Sequence, residues 1–276
     1  MEATAITAIS PEFVELKARL KKTWMAGDYD RFSRHMDGSA RDFYERLNVA
    51  PGSQLLDVAC GSGTLALMAA RDGLEVTGVD IASNLVERAQ ARARAENLRA
   101  HFEEADAEAL PFEDGSFDVV VSLIGAMFAP RPNRVADELL RVCSPGGTIA
   151  MANWTAEGFI GQMFKAIAKL VAPSQMPSPF LWGDEATVRE RLDEGLSELS
   201  LSRRLYTFSY PFPPREVVEF FQLYYGPTHQ AFAALDFEGR ERLRNELETL
   251  WTTHNRAGAG STTVLAEYLE VIGTRA

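Results

Sequence analysis

Short apolar segments alternate with helical segments between residues 54 and 153, and this alternation constrains the fold more than any other feature of the chain. Each helix must return the chain to the same end of the sheet, so repeated strand–helix units give a mainly parallel sheet with right-handed crossovers. The sequence therefore predicts a doubly wound α/β domain. Hydrophobic periodicity places its strands at 54–59, 75–79, 101–104, 117–122 and 148–153 and its helices at 64–71, 84–95 and 135–142.

The segments on either side of this core follow a different pattern. We expect a helical lid over residues 1–50, a ligand-binding core over 51–154, and helical cap insertions over 155–276 together with the last two strands of the same sheet. Both late strands are expected at one edge of the sheet. The patterns behind this division are helical spacing at 12–24, 40–47, 159–171, 215–225 and 239–254, a loop containing Pro173, Pro177 and Pro179, and β-like segments at 201–212 and 262–274.

Composition and spacing exclude several classes of function. The net charge of -11 over 276 residues disfavours nucleic-acid binding, which needs clustered Lys and Arg, and Lys17 with its basic neighbours is interpreted as a solvated helix face. Cys60 and Cys143 show no CxxC spacing for zinc, and no acidic cluster has the spacing of a magnesium site. We expect a cytoplasmic protein without metal, membrane or nucleic-acid partners.

The segment from Leu55 to Thr64 runs from a predicted strand through a glycine-rich turn into a helix. Gly61 and Gly63 let the backbone approach a ligand, because a side chain at either position would block that approach. The following helix offers unpaired N–H groups to negative or polar ligand atoms. Asp57 and Ala59 lie in the same segment, where Asp57 either faces the ligand or binds backbone amides of its own turn.

Acidic residues follow the next two predicted strands. Asp80, with Ile81 beside it, ends the second strand, where a carboxylate can accept hydrogen bonds from both hydroxyls of a ribose. Asp106 and Ala107 follow the third strand, where Asp106 either accepts from an exocyclic amine or caps a helix for local reasons. Because three strand ends converge, the sequence predicts a nucleoside site.

In this order the motifs resemble those of the class I methyltransferases of the small-molecule type, related to the quinone-biosynthesis methylases. The matching motifs are the glycine turn, the ribose-binding acid, the adenine segment, the fourth strand and the turn into the fifth, at residues 56–63, 79–80, 106–112, 117–120 and 140–148. The chain departs from the family pattern at Ala59, where glycine is usual. Alanine is the least disruptive replacement, and Gly61 and Gly63 remain.

The resemblance implies a Rossmann-like sheet of seven strands, mainly parallel with an antiparallel last strand. It implies S-adenosylmethionine as the methyl donor and S-adenosylhomocysteine as the product, with the methionine part contacting the Gly61 turn and Ser122. It also implies that amino-terminal residues close over the cofactor. For this lid we name Trp24, Tyr29 and Arg34, each of which could equally pack on the helix after the first strand.

The methyl acceptor is expected to be a small organic metabolite with an oxygen, nitrogen or carbon nucleophile. A sulfonium is already a strong electrophile, so alignment and exclusion of water can supply most of the acceleration and a base is optional. If a base is used, His229 is our candidate. An apolar acceptor pocket is expected from aromatic residues that are core residues by default, namely Trp24, Phe128, Trp154, Tyr224 and Tyr225.

Three alternatives compete with methyl transfer by a small-molecule enzyme. A nicotinamide-dependent oxidoreductase would have a third glycine where Ala66 stands in the first turn. A nucleic-acid methyltransferase would carry an Asn-Pro-Pro-Tyr-type motif after the fourth strand, where Ser122 to Gly125 stand instead. A nucleoside-binding regulatory module without turnover remains open, and so does a homodimer, since apolar positions in the late helices fit a core or an interface equally.

Overall fold

The structure is a computed structural model that describes residues 11–172, 176–258 and 260–276. Pro173 of the expected proline-containing loop and residues 1–10 of the expected lid lie outside these ranges. Among the described residues, no helix combines the length and the apolar character needed to cross a membrane. In the same ranges no three His, Cys, Asp or Glu side chains are grouped so that they could hold a metal ion.

Seven strands form one sheet in the order β3-β2-β1-β4-β5-β7-β6. Strand β7 is antiparallel to both of its neighbours, whereas β1 to β5 are parallel to each other. This confirms the predicted Rossmann-like sheet with an antiparallel last strand, and both late strands lie at one edge. The strands are β1 (Gln54–Val58), β2 (Glu75–Asp80), β3 (Ala100–Glu104), β4 (Phe117–Leu123), β5 (Cys143–Trp154), β6 (Leu196–Tyr210) and β7 (Thr262–Arg275).

Helices cover the sheet on both sides. Three of the shorter ones, α2, α8 and α10, were not predicted; α2 has only five residues and α8 buries only Val188 and Leu192, so neither shows a clear apolar stripe. The helices are α1 (Pro11–Trp24), α2 (Tyr29–Ser33), α3 (Asp37–Arg46), α4 (Thr64–Arg71), α5 (Ser83–Ala95), α6 (Pro132–Val142), α7 (Phe159–Ala168), α8 (Glu185–Leu192), α9 (Pro214–Tyr224), α10 (Gly226–Ala233) and α11 (Phe237–His254).

Strand β6 begins earlier than the sequence suggests and ends at Tyr210 rather than at residue 212. It is an edge strand, so all of its residues before Tyr206 are exposed or half-buried and give no clear alternation. From Tyr206 onward buried and exposed residues alternate strictly, which is the pattern that identifies a strand in sequence.

The ladder of β6 and β7 extends past the end of β5. Trp154, the last residue of β5, pairs with Tyr268, which pairs in turn with Arg204. Pairing between β6 and β7 then continues to Tyr210 opposite Thr262, roughly 20 Å farther along the strands. The extended part of the ladder therefore stands above the carboxyl edge of the parallel strands.

The amino-terminal helices are fastened to this ladder by polar contacts. Glu270 on β7 is 2% exposed and accepts hydrogen bonds from Arg46 Nε at 2.8 Å and from Arg204 Nε at 3.0 Å. The Tyr206 hydroxyl donates to the carbonyl of Met36 at 2.8 Å, just before α3. These contacts fix the position of α3, and with it the segment that leads from α2.

Replacing Glu270 with glutamine is expected to lower the free energy of unfolding by about 2 kcal/mol, because charge-assisted hydrogen bonds from two arginines are weakened. Glu198→Gln, at an exposed position of the same ladder, is expected to change it by less than about 0.5 kcal/mol. Chemical denaturation of both variants makes the comparison. Equal effects would show that Glu270 does not anchor the amino-terminal segment.

Candidate functional site

The turn after β1 has an unusual backbone. Ala59, Gly61 and Gly63 all have positive φ angles, of 59°, 55° and 80°, in the left-handed region that L-residues other than glycine rarely adopt. The N–H of Cys60 donates to the carbonyl of Val79 at 2.9 Å, which ties the turn to β2. The peptide groups of the turn are thereby held at the carboxyl end of the sheet.

Ala59 fits in the turn because a glycine, Gly125, stands in the loop after β4, the strand beside β1. A methyl group on Gly125 would lie 2.4 Å from Ala59 Cβ and 2.6 Å from Ala59 O, distances at which atoms overlap. The alanine that replaces the family's usual glycine therefore fits because Gly125 has no side chain.

Asp57 has a local role that the sequence left open, and it also lines the cavity described below. It is 2% exposed and accepts a hydrogen bond from the N–H of Ala66 at 3.2 Å, in the first turn of α4. The pKa of Asp57 is raised to about 8, chiefly by burial; the Ala66 hydrogen bond opposes this shift and the nearby Asp80 carboxylate adds to it. At neutral pH Asp57 is therefore largely protonated.

Asp80 connects two loops through its carboxylate. Oδ2 accepts a hydrogen bond from the N–H of Gly61 at 2.8 Å, and Oδ1 accepts one from the N–H of Ala82 at 2.8 Å. Burial raises the pKa of Asp80, while these hydrogen bonds oppose the shift. The backbone N–H of Ile81 also interacts with this carboxylate, and a carboxylate with about four acceptor positions keeps capacity for a ligand.

Lys17 is part of the site, and its interpretation as a solvated residue of a helix face is wrong. Its ammonium forms ion pairs with Asp106 and, at 2.6 Å, with Glu108, whose side chain is fully buried. Asp106 Oδ1 also accepts from the N–H of Glu108 at 3.0 Å. Arg131 Nε lies 2.8 Å from Glu108. Helix α1 is thus attached to the loop that follows β3.

One cavity of about 140 Å³ runs along the carboxyl edge of the sheet. This volume is below the roughly 300 Å³ at which small-molecule pockets usually begin, so a bound nucleoside requires its walls to move outward. The predicted residues that line it are Trp24, Tyr29, Asp57, Ala59, Gly61, Asp80, Ile81, Asp106, Ala107, Phe128, Trp154 and Tyr225. Residues that the sequence did not place in the site include Lys17, Ser33, Met36, Ile160, Tyr206 and Phe208.

Trp24 and Tyr29 form part of the cavity's roof. Their rings are 6.0 Å apart between centroids and nearly perpendicular, and Trp24 lies 5.0 Å from the ring of Phe128. A methyl group on Gly61 would lie 3.4 Å from Tyr29 Cε1. The Tyr29 ring therefore covers the glycine turn.

Three predicted site residues lie elsewhere in the described structure and are absent from the cavity lining. Arg34 is exposed and pairs with Asp30 at 2.9 Å, one turn earlier. The Tyr224 ring packs under Arg31 at 4.6 Å. His229 Nδ1 is 3.0 Å from the carbonyl of Gln222, between α9 and α10. The expectation that His229 lies at the pocket is therefore wrong.

Two further predicted site residues, Ser122 and Gly63, support the structure of the site without lining the described cavity. Ser122 is 1% exposed, donates to the carbonyl of Val58 at 2.8 Å and accepts from the N–H of Ala126 at 3.0 Å, so its hydroxyl joins β4 to β1 instead of lining the described cavity. A side chain on Gly63 would meet Ala89 and Phe102 at 3.1 Å. Gly63 therefore permits the turn and close packing on α5.

Gly125→Ala is expected to destabilise the protein by about 2 kcal/mol through overpacking against Ala59. Combining it with Ala59→Gly is expected to recover part of this loss, because one of the two overlaps is removed. Thermal or chemical unfolding of the single and double variants gives the coupling energy. The control is Gly38→Ala, where an added methyl group meets nothing within 4 Å; additive costs at 59 and 125 would contradict the proposed contact.

Asp57 is expected to make stability depend on pH. Its pKa rises from the ordinary aspartate value of 3.8 to about 8 in the folded chain, so the unfolded state releases its proton first. The free energy of unfolding should therefore fall as pH rises between about 4 and 8, by at most about 1.4 kcal/mol per pH unit. Asp57→Asn should remove this component; identical pH profiles of the two proteins would show that Asp57 ionises normally.

Comparison with known proteins places this geometry in a family. Residues 56–151 match a protein-family model described as a methyltransferase domain. An uncharacterised protein of Mycobacterium tuberculosis (strain ATCC 25618 / H37Rv) is 39% identical over 221 residues, which are 79% of this chain and 81% of that protein. The demethylmenaquinone methyltransferase of Clavibacter sepedonicus is 34% identical over 152 residues, 54% of this chain and 60% of that enzyme.

A solved structure shares the fold at lower identity. Phosphoethanolamine N-methyltransferase 2 of Haemonchus contortus, in complex with S-adenosyl-L-methionine, aligns with a TM-score of 0.56 and 18% identity, over 86% of this chain and 52% of that one. The sheet order, the glycine turn and the strand-end acids agree with the sequence matches. The chain therefore belongs to the class I S-adenosylmethionine-dependent methyltransferases, in a group that includes the mycobacterial relative.

Proposed function

We propose that this chain transfers the methyl group of S-adenosylmethionine to an oxygen, nitrogen or carbon atom of a small organic acceptor and releases S-adenosylhomocysteine. The observation that carries the proposal is the continuous cavity along the carboxyl edge. It begins at the glycine turn and the strand-end acids and continues past Phe128 to Trp154 and β6. Once its walls move outward, such a cavity would hold a nucleoside at one end and a second molecule at the other.

The residues at the first end fit a nucleoside. The Asp80 carboxylate keeps acceptor capacity beside its backbone hydrogen bonds and would accept from the ribose hydroxyls. Asp106 would accept from the adenine amine, with Ala107 and Ile81 beside the ring. The methionine part would lie along Ala59 and Gly61, beneath Tyr29.

Lys17 must release Asp106 before the adenine amine can bind that carboxylate. Its ammonium holds the Asp106 carboxylate that the adenine amine would use. Glu108 offers a second partner for Lys17 at 2.6 Å. The cofactor can therefore enter while Lys17 keeps an ion pair with Glu108. Arg131 Nε contacts the same carboxylate oxygen as Lys17, and the backbone N–H of Arg131 donates to the other oxygen.

The chain's part in the reaction is to position the reactants. The bound cofactor supplies a methyl group on a positive sulfur, a strong electrophile that needs chiefly an aligned nucleophile and a dry site. Trp24 and Tyr29 in the roof and Phe128 beside them exclude water from the region next to Gly61. The acceptor atom would approach opposite the sulfur, for displacement in line.

The phenols of the cavity are poor bases. Burial raises the pKa of Tyr29, Tyr206 and Tyr225, with the Asp80 carboxylate adding to the shift of Tyr29. All three stay protonated at neutral pH; Tyr206 already donates to the carbonyl of Met36, and Tyr29 and Tyr225 can donate a hydrogen bond to an acceptor without removing its proton. Since His229 lies outside the described cavity lining, we propose transfer without a general base from this chain.

A nucleoside-binding module without turnover is the remaining alternative. A degenerate catalytic site would have the acceptor end filled by side chains. Here the cavity reaches Trp154, Tyr206 and Phe208, beyond the part that a nucleoside would occupy. This open continuation favours an enzyme.

Asp80→Ala is expected to weaken the binding of S-adenosylmethionine by about 1.5–3 kcal/mol, because two hydrogen bonds to a charged group are lost. Glu75→Ala is the matched control, since Glu75 lies exposed at the opposite end of the same strand. Calorimetric titration with S-adenosylmethionine, and with NADH in parallel, measures the affinities. Unchanged binding in Asp80→Ala would refute the ribose assignment, and binding of NADH alone would refute the proposed cofactor.

A further inference from the structure

The cavity crosses most of the sheet, and its two halves have different chemistry. Neighbouring strands lie about 4.8 Å apart, so β1 and β6, four places apart in the sheet, are separated by roughly 19 Å. Asp57, Asp80 and Asp106 belong to β1 and the ends of β2 and β3. We call the part over these strands the nucleoside half and the part over β4, β5 and β6 the acceptor half.

Aromatic rings form the wall of the acceptor half. Trp154 ends β5, and Tyr206 and Phe208 stand on the part of β6 that extends past it. Ring centroids are 5.4 Å apart for Trp154 and Tyr206 and 5.8 Å apart for Trp154 and Phe208. Phe32 and Phe221 contact each other at 4.9 Å across the same space.

The charged groups of the described cavity are confined to the nucleoside half. Of the lining side chains in residues 11–172, 176–258 and 260–276, only Lys17, Asp57, Asp80 and Asp106 are of the Asp, Glu, Lys, Arg or His type. Tyr206 commits its hydroxyl to the carbonyl of Met36. A charged acceptor would therefore lose its hydration in the acceptor half without gaining a charged partner from the lining.

We propose that the acceptor of this chain is uncharged and largely apolar and binds in the acceptor half against Trp154, Tyr206 and Phe208. The proposal rests on the proposed methyl transfer and names its substrate class. Burying an unpaired ionised group is far more costly than burying a neutral one, and the positive sulfur of the cofactor would also repel a cationic acceptor. Flat aromatic walls instead favour apolar ring surfaces.

Methyl transfer needs no reacting side chain from this protein. A bond forms between the methyl carbon and the acceptor's nucleophilic atom as the carbon–sulfur bond breaks. The electron pair of that bond stays on sulfur, which becomes the neutral thioether of S-adenosylhomocysteine. The acceptor's proton, where it has one to lose, passes to water at the cavity mouth.

Binding of matched probes tests the proposal. Naphthalene carrying a hydroxyl, a carboxylate or an aminomethyl group at position 2 gives a neutral, an anionic and a cationic ligand of one shape at pH 7. Calorimetry with the full chain saturated with S-adenosylhomocysteine is expected to show 2-naphthol binding at least tenfold more tightly than either charged probe. Equal or tighter binding of a charged probe, or no binding of 2-naphthol, would overturn the proposal.

Two phenylalanine variants test the location. Phe208→Leu is expected to weaken 2-naphthol binding about fivefold or more and to leave S-adenosylhomocysteine binding unchanged. Phe117→Leu, a buried position at the amino end of β4, is the control and is expected to change neither affinity more than twofold. If Phe208→Leu does not fold, Ile160→Val trims the same half by one methyl group and is expected to weaken 2-naphthol binding about twofold.

The outcomes distinguish a failure of the proposed function from a failure of the proposed acceptor site. Failure of S-adenosylhomocysteine to bind the unaltered chain would count against the proposed function itself. Binding of S-adenosylhomocysteine, with 2-naphthol affinity unchanged in the cavity variants, would leave the proposed function standing and overturn the acceptor site. Displacement of 2-naphthol by S-adenosylhomocysteine would also overturn it, because the probe would then occupy the nucleoside half.

Discussion

The Asp80 carboxylate is the contact on which the site depends most. By accepting hydrogen bonds from Gly61 and Ala82 it holds the turn after β1 against the turn after β2. The left-handed backbone between Ala59 and Gly63 is sterically disfavoured for an alanine, and such conformations persist when the surrounding structure imposes them. The strands below and the Asp80 hydrogen bonds above supply that constraint, so the proposed ligand-binding role of this carboxylate coincides with its structural role.

A second constraint comes from the far edge of the sheet. Because β7 runs antiparallel, β6 and β7 can continue pairing beyond Trp154, where the parallel strands have ended. The extended part of the ladder carries Tyr206 and Phe208 into the space above the edge. The segment from Met36 to Arg46 is attached through Tyr206 in that part and through Glu270 where β7 still pairs with β5. The same two strands therefore provide the wall of the acceptor half and anchor the amino-terminal segment.

The separation of charge along the cavity follows from this construction. Loops after parallel strands place polar groups at the carboxyl edge, which gives the nucleoside half its acids. The extension of β6 instead meets the cavity with a strand face on which every second residue is buried. Buried positions of this kind favour apolar side chains. Methyl transfer suits the combination, since the polar half can hold a cofactor while the apolar half keeps the reacting atoms dry.

The sequence by itself determined the order of the strands and of the longer helices, the glycine turn, and the acids at positions 57, 80 and 106, because these depend on local periodicity and on spacing along the chain. It could not place Lys17, Tyr206 or Phe208 in the site, and it wrongly placed Arg34 and His229 there. These residues are brought to the cavity, or kept from it, by contacts between segments far apart in the chain. Only the tertiary structure decides which face of a helix or strand meets that cavity, since burial looks the same in sequence whether a side chain packs in the core or lines a pocket.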